Sequence, residues 1–143
     1  HVADQQAILD EALRLLKPAG QLAICDADFS KTSVSIGDAD PLQVCVDAWV
    51  AGNVTDRWLS PRLPALLKDK GLKIKSFRGH NRVDIAGTST GPLWINMGAD
   101  ALFQDGRISA EMAEAFKTEC QNRIEAGTFY AALPFITAVA TRA

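Results

Sequence analysis

A helix-stop-strand junction near the start of the chain limits its fold more than any other feature. Ile8, Ala12, Leu15 and Leu16 recur at helical spacing behind Asp4, whose carboxylate can cap the first turn. Pro18 and Gly20 stop that helix, and the apolar run Leu22-Ala23-Ile24-Cys25 follows at once, ending in Asp26. A helix that turns directly into such a run is the second half of a βαβ unit. The run is therefore predicted as a buried parallel strand of an α/β fold. A polar stretch over 26–40 comes next, and α/β proteins place their sites in loops beyond the carboxyl ends of strands.

The rest of the chain continues the alternation. Asp40-Pro41 opens a second helix that Gly52 ends, and Ser60-Pro61 opens a third with Leu63, Leu66 and Leu67 inward and Gly71 behind it. From Leu72 the period changes to two, as Leu72, Ile74 and Ser76 alternate with Lys73 and Lys75 into Phe77. Residues 79–92 are turn-rich, with 83–85 extended. A helix is predicted over 92–103, and another behind Ser109 striped by Met112, Phe116, Cys120 and Ile124. The segment 135–141 is apolar and β-branched enough for a last strand. No repeat or linker interrupts the pattern, so 1–143 is expected to be a single domain.

Charge and composition exclude several classes. A net charge of −2 argues against a nucleic-acid or membrane-surface protein, and no apolar run approaches the roughly 20 residues of a membrane helix. Cys25, Cys45 and Cys120 are odd in number, widely spaced and set in apolar segments. Reduced core thiols and a cytoplasmic location are expected from that pattern, with no disulfide framework and no zinc site. The opening His1-Val2-Ala3-Asp4 reads as the middle of a motif, with no leader ahead of the first helix.

Four segments, in order, carry a resemblance. Leu16-Lys17-Pro18-Ala19-Gly20-Gln21-Leu22, with Ile24 and Asp26, resembles the L-K-P-G-G-x-L-x-I-x-[DE] segment of class I S-adenosylmethionine-dependent methyltransferases. His1-Val2-x-Asp4 is similar to the H-V-x-D stretch of the ubiquinone-biosynthesis-like branch. Arg62-Leu63-Pro64-Ala65-Leu66-Leu67 with Gly71-Leu72 resembles that branch's helix before its sixth strand, and Gly127-Thr128-Phe129-Tyr130 its approach to the seventh. The resemblance implies the C-terminal half of a Rossmann-like methyltransferase fold: strands 5-7-6, flanking helices, and a helical insert between strands 6 and 7. Ala19 stands where the family has glycine. No two glycines lie closer than four residues apart, so the G-x-G-x-G turn that holds the cofactor is missing, and with it the N-terminal cofactor-binding half.

The resemblance also assigns residues. Asp26 and Asp28 fall where the family faces its methyl-transfer pocket, and would orient a substrate hydroxyl or accept its proton. His1 and Val2 would border S-adenosylmethionine. Phe29, Trp94 and His80 would lie on the side of a small-molecule acceptor. Several have a plainer alternative: loop capping for the aspartates, a frayed terminus for His1, a solvated turn for His80, and core packing for Trp94 with Trp49 and Trp58. Gly87-Thr88-Ser89-Thr90-Gly91 fits the hydrolase G-x-S-x-G pattern, but no histidine follows it, so a turn is expected. Lys68, Lys70, Lys73, Lys75, Arg78 and Arg82 lack interleaved aromatics and read as guards of an edge strand, not as a nucleic-acid groove. The competing class of function is a non-catalytic interaction domain, whose exposed edge of the family's fifth strand pairs with a second copy, as a homodimer, or with another chain.

Overall fold

The computed structural model describes residues 4–142. In chain order these form α1 (Gln5–Leu15), β1 (Gln21–Ala27), a 3₁₀ turn (Phe29–Lys31), α2 (Pro41–Asn53), α3 (Leu59–Asp69), β2 (Leu72–Asp84), α4 (Gly91–Gln104), α5 (Ala110–Glu125) and β3 (Ala131–Arg142). The class is α/β, with a three-stranded antiparallel sheet of order β1-β3-β2. β1 and β3 run antiparallel, from Gln21 opposite Thr141 to Ala27 opposite Phe135. This corrects the buried parallel strand predicted for β1. Its one partner among the described residues runs the other way, and Gln21, Ala23 and Cys25 are exposed while Leu22 and Ile24 are half-buried.

The chain divides into two compact units. The first holds residues up to Ser30, Thr55–His80, and those from Pro134 on. Its core joins Leu9 of α1, Leu63 and Leu67 of α3, Leu72 of β2 and Ala138 and Ala140 of β3, with Leu22, Ile24 and Ile74 packed alongside. These strand positions alternate, so both helices lie on one face of the sheet. Asp4 caps α1 as predicted, accepting from the Ala7 N–H at 2.9 Å. The predicted stripe of α1 is corrected. Leu9, Leu13 and Leu16 face the core, whereas Ile8 is 52% and Leu15 64% exposed. Between α1 and β1, Ala19 takes a φ of 59°, a left-handed angle that favours glycine.

The second unit holds Lys31–Val54 and Asn81–Leu133. Here α2, α4 and α5 pack on one another around Leu42, Cys45, Val46, Val50, Ile95, Ala99 and Leu102. Gly98 makes the α2–α4 approach feasible, since a Cβ there would stand 1.8 Å from the Cys45 carbonyl oxygen. The predicted stripe of α5 holds apart from its first member: Cys120 is buried and Phe116 and Ile124 are half-buried, with Ala113 and Arg123 buried beside them, while Met112 is exposed. Cys45 and Cys120 are core thiols as expected, but Cys25 is exposed on the open side of β1. β2 runs on to Asp84, through residues read from sequence as a turn.

Candidate functional site

The C-terminal end of β1 gathers most of the chain's candidate chemistry. Asp26 is half-buried there, and its pKa is raised, first by loss of hydration on burial and then by the charges of Asp28 and Asp56. A carboxylate held above its ordinary range is a better proton acceptor than a solvated one. Asp28, two residues on, is buried and already occupied. Its Oδ1 accepts from the Ser30 N–H at 3.1 Å and the Ser30 hydroxyl at 2.5 Å, while its own N–H donates to the Pro134 carbonyl at 2.8 Å. Asp28 therefore shapes the turn that sets Phe29, itself half-buried, directly beyond the strand. α3 closes the same end: the Ser60 hydroxyl donates to the Ala27 carbonyl at 3.3 Å.

His80 lies on β2, exposed, and its ring stacks on Phe135 with centroids 5.4 Å apart and planes 8° from parallel. Phe135 is paired with Ala27, whereas Asp26 is paired with Ile136. Side chains alternate along a strand, so the His80–Phe135 stack sits on the face opposite Asp26. The fold brings Asp26, Asp28 and Phe29 to one strand end and does not converge His80 upon them. His1 and Val2 lie outside the described residues.

Trp94 belongs to the second unit. It is buried and stacked on Trp49 at 4.8 Å between centroids and 20° between planes, the core role weighed for it above. With Thr32, Val34, Arg82, Thr90 and Ala131 it lines a cleft enclosing about 10 Å³, room for roughly one water. Ser89, in the G-x-S-x-G match, does lie between a strand and a helix. Its hydroxyl and N–H, however, both serve Asp84, the N–H at 2.8 Å, and the Ala86 N–H donates to the same carboxylate at 2.9 Å. Burial pushes Asp84 up, but the Ser89, Ala86 and Thr88 donors outweigh it and hold the pKa down to about 2. The segment is a capped turn ahead of α4.

Sequence reasoning missed two participants. Asp56 raises Asp26 from 30 positions away, and no spacing rule links them. Arg123 is buried against Asp40, donating at 2.6 Å and 3.2 Å, while Glu119 accepts from its Nε at 2.7 Å. Asp40 also caps α2 through the Leu42 N–H and holds the Ile36 N–H, so this cluster fixes the end of the loop that begins at Asp26. A buried arginine in a helix predicted from its apolar stripe left no signal of its partner.

No group of three or more His, Cys, Asp or Glu among the described residues could hold a metal ion. Nor do these residues fit S-adenosylmethionine. The strand available, β1, ends in a 3₁₀ turn tied by Asp28, not in a glycine-rich turn with free backbone N–H groups. No helix among the described residues is long and apolar enough to cross a membrane. Compared with known protein families and with curated proteins, the chain matches no family model and no curated sequence.

Proposed function

We propose that this chain is the acceptor side of a small-molecule methyltransferase of the S-adenosylmethionine-dependent class, the C-terminal half of a Rossmann-like domain. The observation that carries the reading is Asp26: a carboxylate with a raised pKa at the carboxyl end of β1, beside a 3₁₀ turn that presents Phe29. The strand order β1-β3-β2 and the helices α4 and α5 between β2 and β3 support it, being the arrangement implied for strands 5-7-6 with a helical insert. In this role Asp26 orients the acceptor and takes the proton of its nucleophilic atom. Methyl transfer depends mainly on proximity and alignment, which suits a site with a single committed base. The cofactor's cradle would come from residues other than 4–142.

Two measurements test this. Calorimetric titration of S-adenosylmethionine into the 143-residue chain is expected to show no binding, and a tight one-to-one isotherm would overturn the acceptor-only assignment. The 143-residue chain alone is expected to transfer no methyl, whereas a protein in which it is joined to a cofactor-binding half is expected to transfer labelled methyl to a small-molecule extract, at least tenfold more slowly for Asp26→Asn. Absence of any transfer by the joined wild-type protein would overturn the methyltransferase reading.

A further inference from the structure

We propose that the cleft between the start of α4 and the 32–34 segment binds a small carboxylate, one oxygen of which is held at Thr32 while Arg82 grips the other. All of its walls belong to the second unit. Thr32 is a wall residue, 7% exposed, and its buried Oγ1 has no hydrogen-bond partner among the described residues. The backbone around it is tied down. The Thr32 carbonyl accepts from Gln43 Nε2 of α2 at 3.1 Å, and the Val34 N–H donates to Gln43 Oε1 at 2.9 Å. Between them Ser33 exchanges two backbone bonds with Ala132, at 2.9 and 2.7 Å. A hydroxyl fixed in place and left unpaired is costly, and a ligand oxygen supplies the missing bond.

Water alone could satisfy a hydroxyl, but two further groups give the cleft a sign. α4 begins at Gly91, another wall residue. The N–H groups of its first turn have no partners within the helix, and Thr90 makes no side-chain cap bond to them. Such amides favour an anion. The backbone comes close here because Gly91 has no side chain: a Cβ would stand 2.8 Å from that of Ala131. Arg82 also lines the cleft, is exposed, and has no ion pair among the described residues. Its guanidinium offers the paired donors that a carboxylate takes.

Size and charge choose among the oxyanions. The enclosed space of about 10 Å³ takes one oxygen and not a tetrahedral group. A single guanidinium serves it, and Asp84, two residues along β2, stays ionised under the N–H groups of Ala86 and Ser89. That charge opposes a dianion more than a monoanion. The inference rests on the second unit alone and is independent of the role proposed for Asp26.

The test is titration of sodium formate into the isotope-labelled chain, with ionic strength held constant by chloride and amide and guanidinium signals followed by NMR. Saturable shifts at Gly91 and at Arg82 Nε are expected, with a dissociation constant of about 1–10 mM. Arg82→Gln changes an exposed side chain, and Thr32→Val keeps the shape of a buried one, so neither threatens the fold. Each should weaken formate binding roughly tenfold. No saturation by about 100 mM formate, as for a cleft that holds only water, would overturn the proposal. So would shifts that chloride reproduces, tighter binding of inorganic phosphate than of formate, or an affinity unchanged in either variant.

Discussion

Ala19 holds a left-handed backbone angle with a β-carbon in place, which costs about 1–2 kcal/mol relative to a right-handed residue. Glycine would remove that cost and give back part of it as unfolded-state entropy. Ala19→Gly is therefore expected to raise stability by about 0.5 kcal/mol, read as a higher denaturant midpoint at unchanged slope. Asp84 sets a pH limit. Its folded pKa of about 2 lies below the unfolded carboxylate value, so its contribution is complete above about pH 4 and is lost as pH falls toward 2. Acid titration of the wild type should show that loss. Asp84→Ala should flatten it and cost about 2 kcal/mol at neutral pH. Both residues were legible as types and not as states: a chain can show an alanine or an aspartate, but not the angle or the donors it finds.

Three helix starts are readable from their caps, whereas α3, expected to open at Ser60-Pro61, begins at Leu59 behind Trp58 with no side-chain cap, and its Ser60 hydroxyl bonds Ala27. Asp4, Asp40 and Ser109 were placed at helix starts from sequence, and each side chain accepts from a backbone N–H of the first turn. Faces were harder to read. α1 carries leucine or isoleucine around much of its circumference, so two stripes compete, and the inward one, Leu9–Leu13–Leu16, prevails by packing on Leu22 and Ile24. β2 was cut short at 79 because His80, Asn81 and Arg82 are polar; they continue a strand whose side chains there are exposed. Contacts between elements left the least trace. Arg123 and Asp40 are 83 positions apart, and both are nearly enclosed. Arg123→Ala would strand the Asp40 carboxylate and is expected to cost about 3–5 kcal/mol in equilibrium unfolding. Gly98→Ala would drive a methyl group into the Cys45 carbonyl, so α2 and α4 must part. A loss of about 3 kcal/mol or more is expected by the same measurement.

Across the whole molecule the α/β class was legible from the alternation of periods, because helices and strands of this length each leave their own spacing. The antiparallel pairing of β1 was not, since an apolar run looks the same whichever way its neighbour travels. The candidate site was legible at Asp26, Asp28 and Phe29, which adjoin in sequence, and not at His80, whose side of the sheet depends on register.

The two margins of the sheet are guarded by different means. β2 carries exposed Lys73 and Lys75, whose charges an arriving strand would have to strip of water. At the far end of β1 the Ala27 carbonyl already accepts from the Ser60 hydroxyl of α3, so a strand added there could not run the full length of β1. Edge-to-edge growth into fibres is opposed at both margins.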